Sequence, residues 1–309
     1  MLAASRELTF SNAQGHALAA TFQAGEASLP MPAVLLCQGL SGVRTLVMPE
    51  VARALAEAGI ASLRFDYSGF GDSGGERGWI DPGARVADAR FALAALQAQP
   101  EVDPARVGVY GHSYGGPIAL RLASQESQIR ALAAVSSPGS GLDMLRAARP
   151  AWDWVALKQR LVLERERIAR GQPHEIVPVE QIFPFSPRFA AGYAQLKQAQ
   201  GGTSALQAGQ GLGKDSFYLA SVERMAELDL LPSALRVEHC PCLFINGELD
   251  DTAPIETIEP IIEAIPAIKE WIVVAGADHN SLDSDPGLHA ALGSITTWFQ
   301  SHLWGASGP

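Results

Sequence analysis

Short apolar runs of strand length alternate along the chain with segments whose apolar residues recur at helical spacing. The runs are TFQAG (21–25), Ala33–Cys37 (AVLLC), Ile60–Asp66 (IASLRFD), Val107–Tyr110 (VGVY), Ala131–Ser136 (ALAAVS), Cys242–Asn246 (CLFIN) and EWIVVAG (270–276). Between them lie helical patterns. PEVARALAEAG carries Pro49 near its start and Gly59 as its stop. DPGARVADARFALAALQAQ has Asp81 as N-cap, Pro82 in the first turn, and Val86, Ala89, Leu93 and Leu96 on one face. GGPIALRLASQ, PIETIEPIIEAI and PGLHAALGSITTWFQSHL repeat the pattern. Strands that are apolar on both faces and alternate with helices predict an α/β fold, a mostly parallel central sheet with helices on both faces. In such sheets reactive groups gather at the carboxyl ends of the strands.

The rhythm runs through residues 1–138 and 237–309 and breaks between 139 and 236. There, AWDWVALKQRLVLERERIARG places Trp154, Leu157, Leu161 and Ile168 at helical spacing, and IFPFSPRF spaces aromatics with prolines. AQLKQAQGGTSALQAGQGLGKDS is rich in Gln, Gly and Ala and reads as a mobile stretch. Its GLGKDS is not a phosphate-binding loop, because the position five before Gly213 is Ala208 and Asp215 follows the lysine. The block reads as a helical cap inserted over the sheet. Trp152, Trp154, Phe183, Phe185, Phe217 and Tyr218 are its candidate pocket walls, against the plainer reading that they pack the cap onto the core.

Composition narrows the function. With 309 residues, 47% of them hydrophobic, the chain can bury one large core plus an insertion. A net charge of −10 and a pI near 5.2 disfavour a nucleic-acid partner, which would require a basic face. The opening residues MLAASRELTFSNAQG lack a basic region followed by an apolar one, and no apolar run approaches ~18 residues. The expectation is a cytoplasmic protein that engages neither nucleic acid nor membrane. Cys37, Cys240 and Cys242 predict no disulfide framework, and no second Cys/His pair completes a metal site with the C-x-C, so they read as small buried hydrophobes.

Two stretches fit G-x-S-x-G, the pattern of a serine nucleophile: Gly71-Asp72-Ser73-Gly74-Gly75 and Gly111-His112-Ser113-Tyr114-Gly115. Ser73 resembles the GDSGG of chymotrypsin-like proteases, but its only upstream histidine is His16, the surroundings are not all-β, and the next helix waits until Asp81. Ser113 stands where the VGVY strand runs straight into a helix, the turn that projects a hydroxyl. Such a hydroxyl needs a base, oriented by a carboxylate. His279 lies just past a strand end at the same sheet edge. His112, inside the turn, should point away. His239 precedes a strand at the wrong edge, His289 and His302 lie in the last helix, and His16 and His174 have no supporting context. GELDDTAP supplies Glu248, Asp250 and Asp251 as acids. Backbone N–H groups of Tyr114 and of Leu40, in QGLSG after the AVLLC strand, are the expected oxyanion donors.

CQGLSG, FDYSGFGDSGG, GHSYGG, GELDDTAP and GADH, in this order, resemble the α/β-hydrolase superfamily, and most closely its serine-aminopeptidase-like and dienelactone-hydrolase-like subgroup. The resemblance covers nearly all of the chain outside the cap. Through the spacing Gly247-x-x-Asp250-x-x-x-Pro254 it implies Asp250 as the acid, with Asp251 the second choice, and His279 as the base. It also makes Asp66-x-x-Gly69-x-Gly71-x-Ser73 a structural loop held by Asp66 and Ser73. One departure is Gln38-Gly39 where the oxyanion loop often reads His-Gly, which adds Gln38 to the candidate pocket. The implied activity is hydrolysis of an ester, thioester or amide of a small-molecule acyl substrate, through an acyl-enzyme and without cofactor or metal. The alternatives are an acyltransferase with the same three residues and a non-catalytic ligand-binding member of the fold.

Overall fold

The computed structural model describes residues 5–199, 216–284 and 287–304. Most of the Gln/Gly/Ala stretch, 200–215, lies outside them, and so does its GLGK. The chain begins with strands β1 (Ser5–Ser11), β2 (Ala17–Gln23) and β3 (Met31–Cys37), followed by α1 (Met48–Glu57), β4 (Ala61–Phe65), α2 (Pro82–Gln97), β5 (Val102–His112), α3 (Gly115–Ala123) and β6 (Ile129–Val135). The segment that follows contains α4 (Gly141–Ala147), α5 (Ala151–Ala169), β7 (Ile176–Pro178), α6 (Val179–Ile182), α7 (Pro187–Ala199), β8 (Ser216–Tyr218), α8 (Ser221–Ala226) and α9 (Leu231–Ala234). The chain then returns to the sheet with β9 (Cys242–Gly247), α10 (Ile255–Ala264), β10 (Lys269–Val274) and α11 (Gly287–Phe299), which ends in a π-helical turn, Gln300–Trp304.

Eight strands form one sheet in the order β1-β2-β4-β3-β5-β6-β9-β10. β1 pairs with β2 and β2 with β4 antiparallel; every other pairing is parallel. Because the parallel strands run the same way, the ends of β3, β5, β6, β9 and β10 open on one edge. β3 shows how the sheet is sealed. All seven of its residues are buried, with Leu35 and Cys37 facing one apolar cluster and Val34 and Leu36 the other. α1 and α11 cover the second face; α2, α3 and α10 cover the first. Truncating Leu35 to Ala would cost about 2–5 kcal/mol at such a site.

α2 starts as its sequence dictates. Asp81 accepts from the Ala84 N–H at 3.0 Å, Pro82 occupies the first turn, and Val86, Ala89, Leu93 and Leu96 are all buried. The segment between β6 and β9 shares the core. Leu157, Leu161, Val177 and Phe217 belong to the same apolar cluster as Leu35 and Phe65, so this segment is packed onto the sheet side. The three cysteines are free and buried, and the Cys242 thiol donates to the Cys240 carbonyl at 3.1 Å. Among the described residues no helix is long and apolar enough to cross a membrane.

Candidate active site

β5 delivers Ser113 to the open edge. Its N–H donates to the Val135 carbonyl at 2.8 Å, and its backbone is held at φ 50°, a conformation a non-glycine residue adopts at a cost of ~1–3 kcal/mol. Glycines make the turn possible. A Cβ on Gly115 would lie 2.1 Å from the Cys37 carbonyl oxygen, and one on Gly116 would lie 2.3 Å from the Ser137 hydroxyl. Among the described residues the other non-glycine positive-φ positions are Val47 and Ser136, both past strand ends at this edge. Strain is therefore concentrated where the loops converge.

His279 follows β10 and reaches Ser113. Its Nε2 lies 2.9 Å from the Ser113 Oγ, and its Nδ1 lies 2.8 Å from the Asp250 Oδ2. The second Asp250 oxygen accepts from the backbone N–H groups of Thr252, at 2.9 Å, and Ala253, at 2.7 Å. With its carboxylate tied on both oxygens, Asp250 acts as an acceptor toward Nδ1–H, which leaves Nε2 to accept the serine proton. Burial alone would pull the His279 pKa down. The charge and hydrogen bond of Asp250, with Asp283 and Asp251 adding, outweigh it and hold the imidazole above its ordinary value. Asp251 makes its contribution from the exposed side of the loop.

These groups open into a cavity at the carboxyl edge of the sheet. Gly39, Leu40 and Gly42 of the loop after β3 form one wall, with Leu46, Val47 and Met48 beside them; Met144, Val179, Phe183, Phe185 and Phe189, from between β6 and β9, close the other. Ser113, Tyr114 and His279 lie at the floor. Of the sequence-derived pocket residues, Gln38, Phe183 and Phe185 line the cavity. Gln38 is fully buried, and with donors matched to acceptors its amide holds the Val43 carbonyl at 3.2 Å and the Arg44 N–H at 3.3 Å. Its side chain thus braces the loop from within.

The structure places four expected wall residues elsewhere. Trp152 is 73% exposed on α5, facing away. Trp154 packs on the core with the Arg146 guanidinium 5.7 Å from its ring. Phe217 is fully buried against Phe70, with ring centroids 6.2 Å apart. Tyr218 leans on Trp79 and donates to Glu76 at 2.8 Å. For Trp154, Phe217 and Tyr218 the packing reading holds, whereas Trp152 turns to solvent and fits neither reading. Met48, Met144, Val179 and Phe189 were missed, since an apolar residue in a loop or short helix carries no sequence mark of the face it lines.

His112 also differs from expectation. It does sit on the α11 side of β5, where its Nε2 lies 3.2 Å from the buried carboxylate of Asp283. Yet it lines the cavity, with its ring 6.2 Å from that of His279. The cavity wraps over the end of the sheet, so residues on either face of the last strand position reach it.

Ser73 lies in a different setting. Its hydroxyl donates to the Asp66 carbonyl at 2.6 Å and accepts from the Ala19 N–H at 2.9 Å, and it is 3% exposed. Asp66 accepts from the backbone N–H of Arg44 at 2.6 Å and of Asp72 at 3.0 Å, and pairs with the Arg44 guanidinium. A Cβ on Gly71 would lie 2.2 Å from the Asp66 carboxylate, so the loop can pass only as glycine.

A sheet of this order with a hydrogen-bonded serine, histidine and aspartate at its carboxyl edge defines a class, and comparison with known proteins agrees. A family profile described as "alpha/beta hydrolase fold" matches residues 32–286, and the chain belongs to that family. A 31.7 kDa Escherichia coli protein from the traX-finO intergenic region is 35% identical over 115 residues, 37% of this chain and 40% of that protein. Thiohydrolase aneE of Aspergillus aculeatus is 31% identical over 130 residues, 42% of this chain and 40% of its own length. These matches span about two fifths of the relatives' lengths. The crystal structure of hypothetical protein PA2218 from Pseudomonas aeruginosa superposes with a TM-score of 0.83 at 21% identity, covering 98% of this chain and 94% of that one.

Proposed function

We propose that the chain is a serine hydrolase that cleaves an ester or thioester of an apolar acyl group through an acyl-enzyme. The observation that carries this reading is the unbroken chain Ser113 Oγ, His279 Nε2, His279 Nδ1, Asp250 Oδ2, with links of 2.9 and 2.8 Å. Ser113 Oγ attacks the carbonyl carbon as its proton passes to His279 Nε2. Asp250 keeps the imidazole in the correct tautomer and stabilises its cation. The oxyanion is received by the N–H groups of Leu40 and Tyr114, two residues that line the cavity beside Ser113. Loss of one such donor costs ~10²–10³ in turnover. Collapse of the tetrahedral adduct breaks the bond to the leaving alcohol or thiol, which takes the proton from His279; water then repeats the sequence to release the acid.

Residues 139–236 serve as the cap in this reading, with Phe183, Phe185 and Phe189 shaping the acyl site. The apolar walls favour a medium aliphatic or aromatic acyl group, and the thiohydrolase relative favours a thioester as well as an oxygen ester. An amide substrate and transfer to an acceptor other than water use the same atoms. The acidic chain with its three free cysteines fits a cytoplasmic setting. A panel of chromogenic esters and thioesters of graded acyl length, run with and without added alcohols, amines and thiols, tests the reading. Hydrolysis that peaks at medium chain length supports it; the absence of turnover across the panel contradicts it.

A further inference from the structure

Arg85 lies in the first turn of α2 and is 3% exposed. A cation there sits at the positive end of the helix dipole and out of water, an unfavourable place unless something specific holds it. Its hydrogen bonds go to the loop after β3. Nη1 donates to the Gly39 carbonyl at 3.0 Å and Nη2 to the Leu40 carbonyl at 2.5 Å. The rings of Phe70, Tyr67 and Tyr114 surround the guanidinium, with centroids at 4.6, 4.8 and 5.6 Å.

The consequence follows from peptide geometry. A trans peptide holds its C=O and N–H in one plane and pointing opposite ways. The Gly39 carbonyl and the Leu40 N–H belong to the same peptide. Gripping that carbonyl from the α2 side therefore aims the Leu40 N–H away from Arg85. The Ser113 side of the loop is close, since a Cβ on Gly39 would lie 3.5 Å from the Ser113 Cβ. The Gly42 N–H closes a turn onto the same Gly39 oxygen at 3.4 Å, so a rotated peptide would leave two donors unsatisfied.

We propose that Arg85 is a positioning residue for the oxyanion site: its fork on the Gly39 and Leu40 carbonyls fixes the Leu40 N–H as a donor. Its ring contact with Tyr114 ties the second donor residue to the same cation. The inference rests on the Ser113 reading above. It explains why the Gln38-Gly39 loop is serviceable without the more usual histidine. The loop is held by the Gln38 amide on one limb and by Arg85 beneath its turn, so the Leu40 donor does not depend on a histidine at 38.

Arg85→Met and Arg85→Lys test it, with wild type and Ser113→Ala as references. The substrate is a p-nitrophenyl acyl ester, and the second probe is a trifluoromethyl ketone of the same acyl group, whose adduct with Ser113 carries an oxyanion. The expected result for Arg85→Met is a kcat lower by ~10²–10³ with KM unchanged. Ketone affinity should fall by the same factor as kcat/KM, while the carboxylic acid product binds as before. Arg85→Lys keeps the charge but not the fork, and should fall between. Circular dichroism and thermal melting establish folding; if Arg85→Met does not fold, the two readouts on Arg85→Lys decide. A folded variant with wild-type kcat overturns the inference. A loss of kcat without a parallel loss of ketone affinity also overturns it, because Arg85 would then be only structural. A wild type unlabelled by fluorophosphonate and inactive on esters removes the parent reading and this inference together, whereas a labelled wild type matched by Arg85→Met removes only this one.

Discussion

The loop around Ser73 and the turn around Ser113 carry the same five-residue pattern, and they are built for different tasks. Both stand at the carboxyl edge of the sheet, and both depend on glycines where a Cβ would strike a neighbour. At Ser73 the hydroxyl is spent twice, on the Asp66 carbonyl and the Ala19 N–H, and is closed from solvent. At Ser113 the hydroxyl meets the imidazole of His279 and faces a cavity, with the backbone held in a conformation that favours glycine. A pattern of glycines and a serine therefore specifies a tight turn. Whether the turn is reactive depends on what its hydroxyl is bonded to and on whether the backbone is strained to present it.

Substitution should separate the two sites sharply. Ser113→Ala should lower kcat by about four to six orders of magnitude and leave the melting temperature near that of wild type, as read by ester hydrolysis and a thermal scan. Asp250→Asn should cost ~10⁴ in kcat, because the amide favours the wrong imidazole tautomer. The pH profile comes next in size. His279 must be neutral to accept the proton, and its pKa is raised, so the acid limb of kcat/KM should have its midpoint above the ~6.5 of a free imidazole. In the residual activity of Asp250→Asn that midpoint should move down, since burial then acts without the carboxylate. Ser73→Ala should have the smallest effect. Kinetics should stay close to wild type while stability falls by about 1–2 kcal/mol, a few degrees in melting temperature. If instead Ser73→Ala abolishes turnover and Ser113→Ala does not, the assignment of the two sites is reversed.

The sequence carried the parallel core well because each strand was a short apolar run bounded by helix signals. β1 was harder to see: SRELTFS alternates between exposed and half-buried residues at the sheet margin. β7 and β8, three residues each, are defined by pairing with each other rather than by any pattern of their own. Ser113, Asp250 and His279 were legible because each sits just beyond a strand end, where chain order maps directly onto the sheet edge. The cavity wall was not, since the direction of Trp152 or Met144 depends on how the segment between β6 and β9 packs on the sheet. His112 was expected to point away because it lies inside the turn, a position that says nothing of a cavity curling over the strand's end. Arg85 was likewise invisible, because its partners are backbone carbonyls more than forty residues away.

Peptide mapping after treatment with a fluorophosphonate tests the central claim most directly. The reagent phosphonylates an activated serine, and digestion followed by mass spectrometry locates the adduct. The account predicts one adduct, on the peptide containing Ser113, absent from Ser113→Ala and retained in Ser73→Ala. An adduct on Ser73, or a folded wild type that takes up no label, would contradict it.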